Sequence, residues 1–225
     1  MTVKSDLWEA LAAEHRSALG QLGTRIQYAA GETILREHEP SSHVLLLDEG
    51  TAKVVVTADN GQEVILALRE GPDIVGEMAA LDGTPRSASV VAKTRITATV
   101  VTAEHLNDFL QRNPEVLLTL VRTLASRLRD SDQARLEMAS RTVLQRIAGQ
   151  LLALHDQYTE PDRAQEEGPR QLPVTQNELA SMVGASREAV AKALLPLRKH
   201  GIVTTGRGRI AVVDLPALRA LAEEF

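Results

Sequence analysis

The sequence predicts an α+β protein built from three successive parts. Residues 25–102 contain short apolar runs interrupted by Gly, Pro, Asn and Asp, a pattern typical of a small antiparallel β-roll. An uninterrupted helical pattern follows Pro114, and a helix pair with a hairpin comes after it. We therefore divide the chain into a β-roll domain at 1–110, a long helix at 111–140 and a C-terminal domain at 141–225.

Composition excludes several classes of protein. The chain has 225 residues, 44% hydrophobic content and no cysteine, which excludes disulfides, iron–sulfur clusters and thiol chemistry. It shows no signal segment and no apolar run near the 18 residues of a membrane span, so a cytoplasmic protein is expected. The net charge is −5, yet residues 171–214 carry six Lys or Arg against three Asp or Glu. A basic module on an acidic chain is the pattern to look for when DNA is the partner.

The N-terminal part begins with helix and changes to strand. Ser5–Leu22 places leucines at helical spacing, and Asp6 with Glu9 matches a capping box. The turn Asn60-Gly61 lies between two apolar runs and predicts a hairpin, because both residues tolerate positive φ. The predicted strands are Thr33–Leu35, Val44–Leu47, Lys53–Thr57, Val64–Leu68, Ser87–Ala92 and Ile96–Val101.

The long helix carries a narrow stripe that indicates an interface. Helix resumes at Ala103, and after Pro114 it continues to about Ser140 without Gly or Pro. Such a stripe is typical of a coiled-coil seam, which favours a homodimer over a helix packed only on its own domain. A further helix is predicted from Thr142 to His155. The stripe residues, three or four apart, are Leu117, Val121, Leu124, Leu128, Ser131, Arg135 and Met138.

The C-terminal module reads as a winged helix-turn-helix after an exposed loop at 156–170. Thr175 and Glu178 form a capping-box pattern, and Gly184 separates this helix from a second one that begins at Arg187. Gly206–Arg209 forms a hairpin with a basic tip, and Leu215–Phe225 should be a terminal helix. Pro196 lies about ten residues into the second helix and predicts a bend or an early stop there.

The stretch Ile74–Val91 collects groups suited to a small phosphorylated molecule. Arg86 can donate two hydrogen bonds to phosphate oxygens, and Ser87 adds a hydroxyl and an amide. Gly76 allows close approach of the backbone, and Met78 begins a turn whose amides can face negative charge. Glu77 is a good acceptor for a ribose hydroxyl. The alternative is a Glu77–Arg86 ion pair that closes a turn of the roll.

The segment GEMAALDGTPRSAS, with Glu77 nine residues before Arg86, resembles the phosphate-binding cassette of cyclic-nucleotide-binding domains. The order of roll, long helix and winged helix-turn-helix resembles the CRP/FNR superfamily of bacterial transcription regulators. The resemblance implies that Glu77 holds the ribose 2′-hydroxyl and that Arg86 and Ser87 hold the cyclic phosphate. The other positions that it implies in the ligand site are Gly76, Met78 and Ala88 in the cassette and Ser131 and Asp132 beside the base.

The effector that the resemblance implies is cyclic AMP. Asp132 departs from the hydroxyl residue that the cyclic-AMP receptor protein has there, and a carboxylate could also accept from guanine. Cyclic GMP, another nucleotide or no ligand therefore remain open. No metal and no cofactor are implied.

The segment ASREAVAKALLPLRKHG resembles the recognition helix of the family. Arg187 can contact guanine, Glu188 can accept from cytosine, and Lys192 stands where a second guanine-reading arginine is common. We expect a half-site related to TGTGA in a palindromic operator, and the family implies RNA polymerase as a further partner. The phosphate contacts expected are Thr175, Gln176 and Ser186 at the helix pair and Arg207 and Arg209 on the wing.

Three rival functions differ from this prediction. A regulator with a degenerate pocket would bind DNA without a nucleotide, and a nucleotide-binding module could act on a protein partner instead of DNA. An enzyme is disfavoured because Glu77 and Asp82 have no companion nucleophile or metal motif.

Overall fold

The computed structural model describes residues 6–40, 43–59, 61, 63–157, 170–206 and 208–223. The chain divides into two compact units, with the boundary between Arg129 and Asp130. The boundary lies inside the long helix, so this helix contributes its first half to the N-terminal unit and its second half to the C-terminal unit.

The N-terminal unit is a roll of two four-stranded antiparallel sheets. One sheet has the strand order β1-β8-β3-β6 and the other β2-β7-β4-β5. Two short helices, α1 (Asp6–Ala10) and α2 (Ala13–Gly20), precede the roll, and α3 (Glu77–Asp82) interrupts it. The strands are β1 (Thr24–Tyr28), β2 (Thr33–Leu35), β3 (His43–Glu49), β4 (Thr51–Thr57), β5 (Glu63–Glu70), β6 (Asp73–Val75), β7 (Ser89–Ala92) and β8 (Ile96–Thr102).

Strand β3 is buried on both faces and separates two apolar clusters. Leu45 and Leu47 point into the cluster between the sheets. Val44 and Leu46 point to the other side, where they meet residues of the surrounding helices such as Leu106. This alternation follows from the two-residue period of a strand. It explains why four consecutive apolar residues are needed in a strand that is only seven residues long.

All six strands predicted in the roll are confirmed, but two strands of the roll were missed. β1 has four exposed residues among its five, so its sequence lacks the apolar alternation that indicates a half-buried strand. β6 is fully buried but only three residues long, which is too short to show any period. The turn residue Asn60 and the side chains of Asp6 and Glu9 lie outside what the structure describes.

Helix α4 (Ala103–Arg112) follows β8, and the long helix α5 (Pro114–Ser140) runs for 27 residues. Thr102 caps α4 by accepting a hydrogen bond from the His105 amide at 3.2 Å. Val116, Leu120 and Thr123 are the buried residues of α5, and they lie on one face at spacings of four and three. The uninterrupted long helix predicted from the sequence is confirmed.

The C-terminal unit packs helices against a small sheet. After the second half of α5 come α6 (Val143–Gln157), β9 (Arg170–Leu172), α7 (Gln176–Val183), α8 (Arg187–Lys199), β10 (Val203–Gly206), β11 (Arg209–Val212) and α9 (Leu215–Glu223). The sheet order is β10-β11-β9. The hairpin β10–β11 was predicted, whereas β9 was not, because it ends a stretch that reads as polar loop. Within the described residues, no helix is long and apolar enough to cross a membrane.

Arg146 ties two helix ends together in this unit. Its Nη1 donates to the carbonyl of Arg141, just after α5, and its Nε donates to the carbonyl of Val183, the last residue of α7. Both distances are 2.9 Å. Helix C-termini leave carbonyls without amide partners and carry partial negative charge, so one guanidinium stabilises both ends.

Of the two effects expected at Pro196, a bend or an early stop, the early stop is wrong. The helix continues through Pro196 to Lys199. The missing amide leaves the Lys192 carbonyl without its helical partner, and both residues lie on the exposed side of the helix, where water can serve instead. The flanking Leu194 and Leu197 are buried, so packing of the opposite face keeps the last turn helical.

Candidate functional site

Gly76 shapes the cassette between β6 and β7. It has a φ of 80° and stands immediately before α3, a left-handed conformation that favours glycine. A Cβ at this position would also collide with the guanidinium of Arg86 and with Leu35. Both the backbone angle and the close approach of Arg86 therefore require glycine here.

Arg86 is buried, with 3% of its surface exposed. Its Nη1 donates to the Gly76 carbonyl at 2.7 Å, and its Nη2 donates to the His43 carbonyl at 2.5 Å. Burial lowers the pKa of this guanidinium, and the nearby Glu77 carboxylate opposes that change. Because both carbonyl partners are neutral, an anionic oxygen would form stronger, charge-assisted hydrogen bonds with this group.

The backbone of Arg86 is also held in place. Its amide donates to the Glu39 carbonyl at 3.0 Å, and its carbonyl accepts from the His38 amide at 2.8 Å. His38 itself has a φ of 65°, in the left-handed region. One segment distant in sequence, residues 38–39, thus positions the backbone of the arginine independently of its side-chain contacts.

Glu77 is buried and pairs with an arginine of the long helix. Its Oε1 accepts from Arg127 Nη1 at 2.7 Å. The Nη2 atom of Arg127 donates to Asp73 Oδ1 at 2.8 Å and to the Ile74 carbonyl at 3.2 Å. The ion pair that closes this region therefore joins Glu77 to Arg127, whereas the alternative drawn from the sequence had Arg86 as its partner.

Sequence reasoning missed Arg127 and Asp73 as parts of this site. A signal for Arg127 was available, since it follows Val116, Leu120 and Thr123 at helical spacing on the face of α5 that turns to the roll. The predicted dimer seam lies on a different stripe of the same helix. Asp73 has no comparable signal, because a single aspartate beside a proline and a glycine reads as a turn.

The remaining predicted ligand residues differ in exposure. Ser87 is exposed and Ala88 is half-buried, directly after Arg86, while Met78 is 52% exposed on α3. Ser131 and Asp132 are exposed on the second half of α5. Asp132 Oδ1 lies 3.5 Å from Arg135 Nη1.

The predicted seam of α5 is the exposed face of the helix. Leu117, Val121 and Leu128 are 39%, 51% and 61% exposed, and Arg135 is exposed further along. Leu124 differs from them because it packs partly against the core of the roll. Met138 is half-exposed, and its methyl group would lie 3.2 Å from a Cβ built on Gly184.

The helix pair α7–α8 is capped as the sequence predicts. Thr175 and Glu178 form a reciprocal capping box, with Thr175 N donating to Glu178 Oε2 at 2.8 Å. Gly184 has a φ of 60° in the turn. Ser186 Oγ accepts from the Ala189 amide at 3.2 Å and caps α8.

One face of α8 is polar and exposed at its start. Arg187, Glu188 and Lys192 are exposed, while the opposite face buries Val190 and Leu194. A hydrogen bond from its own backbone amide, another from the Ser186 side chain and the charge of Arg187 lower the pKa of Glu188. This carboxylate is therefore an acceptor at neutral pH, as contact with a cytosine amino group requires.

The other predicted DNA contacts surround this face. Gln176 opens α7 and is half-buried, and Arg209 on the hairpin is exposed. Arg209 Nη1 donates to Gln171 Oε1 at 2.6 Å, which joins β11 to β9. Arg207 lies outside the described residues.

Comparison with known proteins identifies both parts of the chain. Residues 25–113 match the family of cyclic nucleotide-binding domains, and residues 145–221 match the Crp-like helix-turn-helix domains. A CRP-like cAMP-activated global transcriptional regulator of Mycobacterium tuberculosis is 31% identical over 203 residues, covering 88% of this chain and 89% of that protein. The chain belongs to the CRP/FNR family. It is thus a CRP-like, cyclic-nucleotide-binding transcription regulator that binds DNA, and its relatives are regulators and not enzymes.

Further members of the CRP/FNR family extend the likeness. The cAMP-activated global regulator CRP of Salmonella typhimurium is 28% identical over 188 residues, covering 83% of this chain and 88% of that protein. A CRP/FNR regulator from Thermus thermophilus shares 27% identity with a TM-score of 0.75, covering 89% of this chain and 99% of its own. The c-di-GMP-responsive regulator CLP of Xanthomonas campestris has a TM-score of 0.79 at 23% identity over 89% of this chain and 99% of its own, a likeness of fold. The predicted family and fold class are confirmed.

Proposed function

We propose that this protein is a homodimeric regulator that responds to cyclic AMP and binds a palindromic operator. The observation that carries the ligand proposal is the buried guanidinium of Arg86, which meets the Gly76 carbonyl beside the buried carboxylate of Glu77. A cationic fork and a hydroxyl acceptor, both desolvated and close together, suit a ligand with one phosphodiester and one free ribose hydroxyl.

Each cassette residue has a role in this proposal. The cyclic phosphate takes the place of neutral carbonyls around Arg86, and the exposed Ser87 hydroxyl with the Ala88 amide adds further donors. Glu77 accepts from the 2′-hydroxyl, with the Gly76 and Met78 amides close by. Ser131 and Asp132 remain proposed base contacts on the basis of the family resemblance. Cyclic AMP is preferred because relatives at 28–31% identity are cAMP-activated, and Asp132 keeps cyclic GMP as the competing effector.

Calorimetric titration with cyclic AMP, cyclic GMP and cyclic di-GMP tests the ligand. We expect micromolar or tighter binding of cyclic AMP and a loss of roughly 100-fold in Arg86→Ala, because several charge-assisted hydrogen bonds disappear. Arg25→Ala is the matched control, since Arg25 is an exposed arginine of the same roll paired with Asp48 at 3.3 Å. Binding of cyclic GMP or cyclic di-GMP instead would identify that nucleotide as the effector. No binding of any of the three would reject a sensor of these nucleotides.

The exposed apolar stripe of α5 supports the dimer. Two copies of this helix related by a two-fold axis would bury Leu117, Val121 and Leu128 against each other. The two recognition helices α8 would then read half-sites about 34 Å apart, one turn of DNA. We further propose a TGTGA-related half-site read by Arg187, Glu188 and Lys192, with RNA polymerase as a partner at the promoter.

The contacts Thr175, Gln176, Ser186, Arg207 and Arg209 belong to the same proposal, as phosphate contacts. Phosphate contacts set the position of a protein on DNA and make its affinity depend on salt. Gel shifts with palindromic and scrambled DNA at two salt concentrations separate base reading from phosphate binding. Equal affinity for both sequences would contradict the proposed half-site.

A second candidate is a regulator that binds DNA without a nucleotide. The observation in its favour is that Arg86 and Glu77 already have protein partners, the Gly76 and His43 carbonyls and Arg127. A ligand must compete with these contacts. The same gel shift without nucleotide separates the candidates, because only this one predicts full operator affinity there.

A further inference from the structure

We propose that Asp73 is a positioning residue for the nucleotide site, acting through Arg127 on Glu77. This inference rests on the proposed ligand and deepens it. Among the described residues, Asp73 makes hydrogen bonds or ion pairs with Ile74, Arg69 and Arg127, and the ligand proposal gives none of these a ligand contact. Its influence is carried by the guanidinium that it shares with Glu77.

The burial of Asp73 needs an explanation, because an ionised carboxylate is costly to bury without partners. Asp73 is 0% exposed. Its Oδ1 accepts from the Ile74 amide at 2.7 Å and from Arg127 Nη2 at 2.8 Å. Its Oδ2 makes no hydrogen bond within the described part of the chain and lies 3.8 Å from Arg69 Nε. Most of the compensation for its charge therefore comes from arginines.

The shape of Arg127 transmits this contact to Glu77. A guanidinium is planar and rigid, so fixing Nη2 also fixes the direction of Nη1. Asp73 and the Ile74 carbonyl hold Nη2, and Nη1 then meets Glu77 Oε1 at 2.7 Å. Glu77 is thereby held with its acceptor oxygens in a defined orientation beside Gly76.

Four charged side chains are linked by the ion pairs around Asp73. Arg69 and Arg127 supply two positive charges, and Asp73 and Glu77 supply two negative ones, in side chains that are all less than 20% exposed. The buried guanidinium of Arg86 is a further cation near Glu77. Removing the charge of Asp73 leaves an excess cation against Glu77 and frees Arg127 to turn. Asp73 therefore sets the orientation of the Glu77 carboxylate.

The test is Asp73→Asn, which keeps the shape of the side chain and removes its charge. We measure the affinities for cyclic AMP and for 2′-deoxy cyclic AMP and compare the ratio of the two affinities between wild type and the variant. Wild type should bind the ribonucleotide more tightly than the deoxynucleotide. In the variant the ratio of the two affinities should fall roughly tenfold, because a misaligned Glu77 carboxylate loses its charge-assisted hydrogen bond with the 2′-hydroxyl. Asp48→Asn, another carboxylate of the roll that pairs with an arginine, is the control and should keep the preference. An unchanged ratio in Asp73→Asn would overturn the proposal.

A measurement without ligand separates this proposal from the failure of the ligand itself. The coupling between Glu77→Gln and Arg127→Met is obtained from urea unfolding, first with Asp73 present and then with Asp73→Asn. We expect the coupling to fall by at least about half in the second background, and equal coupling would overturn the proposal even if no nucleotide binds. If Asp73→Asn does not fold, Arg127→Lys serves instead, because an ammonium lacks the rigid plane through which a contact with Asp73 fixes the direction of the contact with Glu77, and it should lower the same nucleotide preference.

Discussion

At the scale of single residues, Gly76 and Arg86 form one unit. The carbonyl of Gly76 receives the guanidinium, and the space that a Cβ would fill is occupied by the same group. The glycine therefore has two separable reasons to be there, a backbone angle and a contact distance.

Gly76→Ala should lower the free energy of unfolding by more than the strain of a positive φ alone would. We expect a loss of about 2–4 kcal/mol in the free energy of unfolding, because strain adds to the displacement of a buried arginine. Gly31→Ala is the matched control, with a φ of 87° and nothing near its Cβ, and should lose only about 1 kcal/mol. Urea denaturation of both variants measures the difference, and equal losses would mean that the collision with Arg86 is relieved without cost.

His43 should make the roll sensitive to acid. Burial lowers the pKa of its imidazole below the ordinary value of 6.5, and the charge of Arg86 lowers it further. The unfolded chain then binds this proton more readily than the folded one, so the contribution to stability is present above pH 6.5 and is lost as pH falls through the folded pKa. We expect His43→Gln to flatten the fall in urea midpoint between about pH 7.5 and pH 5. A fall of the same size in the variant would assign the acid sensitivity to other groups.

At the scale of elements, α5 has two apolar faces, of which one is buried and the other is exposed. One face buries Val116, Leu120 and Thr123 in the N-terminal unit. The other leaves Leu117, Val121 and Leu128 partly exposed to solvent, so each forgoes part of the about 1.5–3 kcal/mol that complete burial of such a side chain contributes. We expect this exposed stripe to be an interaction surface.

Val121→Asp should convert the proposed dimer to a monomer. A charge placed in an apolar seam loses its hydration without gaining a partner, so the dissociation constant should rise by at least about 100-fold. Gln133→Asp places the same charge on the same helix, away from both the seam and the buried face, and should leave assembly unchanged. Sedimentation velocity measures both variants, and a dimeric Val121→Asp protein would place the interface elsewhere.

At the scale of the whole molecule, regulation requires that ligand and DNA influence each other. A ligand shifts an equilibrium only as far as its affinities for the two states differ. The effect is also reciprocal, since the factor by which an effector changes the affinity for DNA must equal the factor by which DNA changes the affinity for that effector.

We therefore expect operator DNA to raise the affinity for cyclic AMP by at least about fivefold. The measurement is calorimetry of the protein with and without a TGTGA palindrome, paired with gel shifts with and without nucleotide. Arg187→Ala is the control, because the loss of its guanine contact should remove the effect of the specific DNA and leave intrinsic nucleotide binding intact. An affinity for cyclic AMP that operator DNA leaves unchanged would favour the regulator that binds DNA without a nucleotide.

The sequence by itself determined the features that depend on local chemistry. The capping box of Thr175 and Glu178, the turn at Gly184 and the uninterrupted helix after Pro114 all follow from residues close together in the chain. The cassette was recognisable for the same reason, since Glu77 and Arg86 lie in one continuous segment.

Only the tertiary structure decided which groups meet across the chain. Arg127 reaches Glu77 across 50 residues and Asp73 across 54, and no local pattern encodes such pairs. Strand β1 exists because β8 offers it a hydrogen-bonding edge, and α8 passes Pro196 because its other face is buried. In each case packing against distant residues supplied the free energy that local propensity lacks.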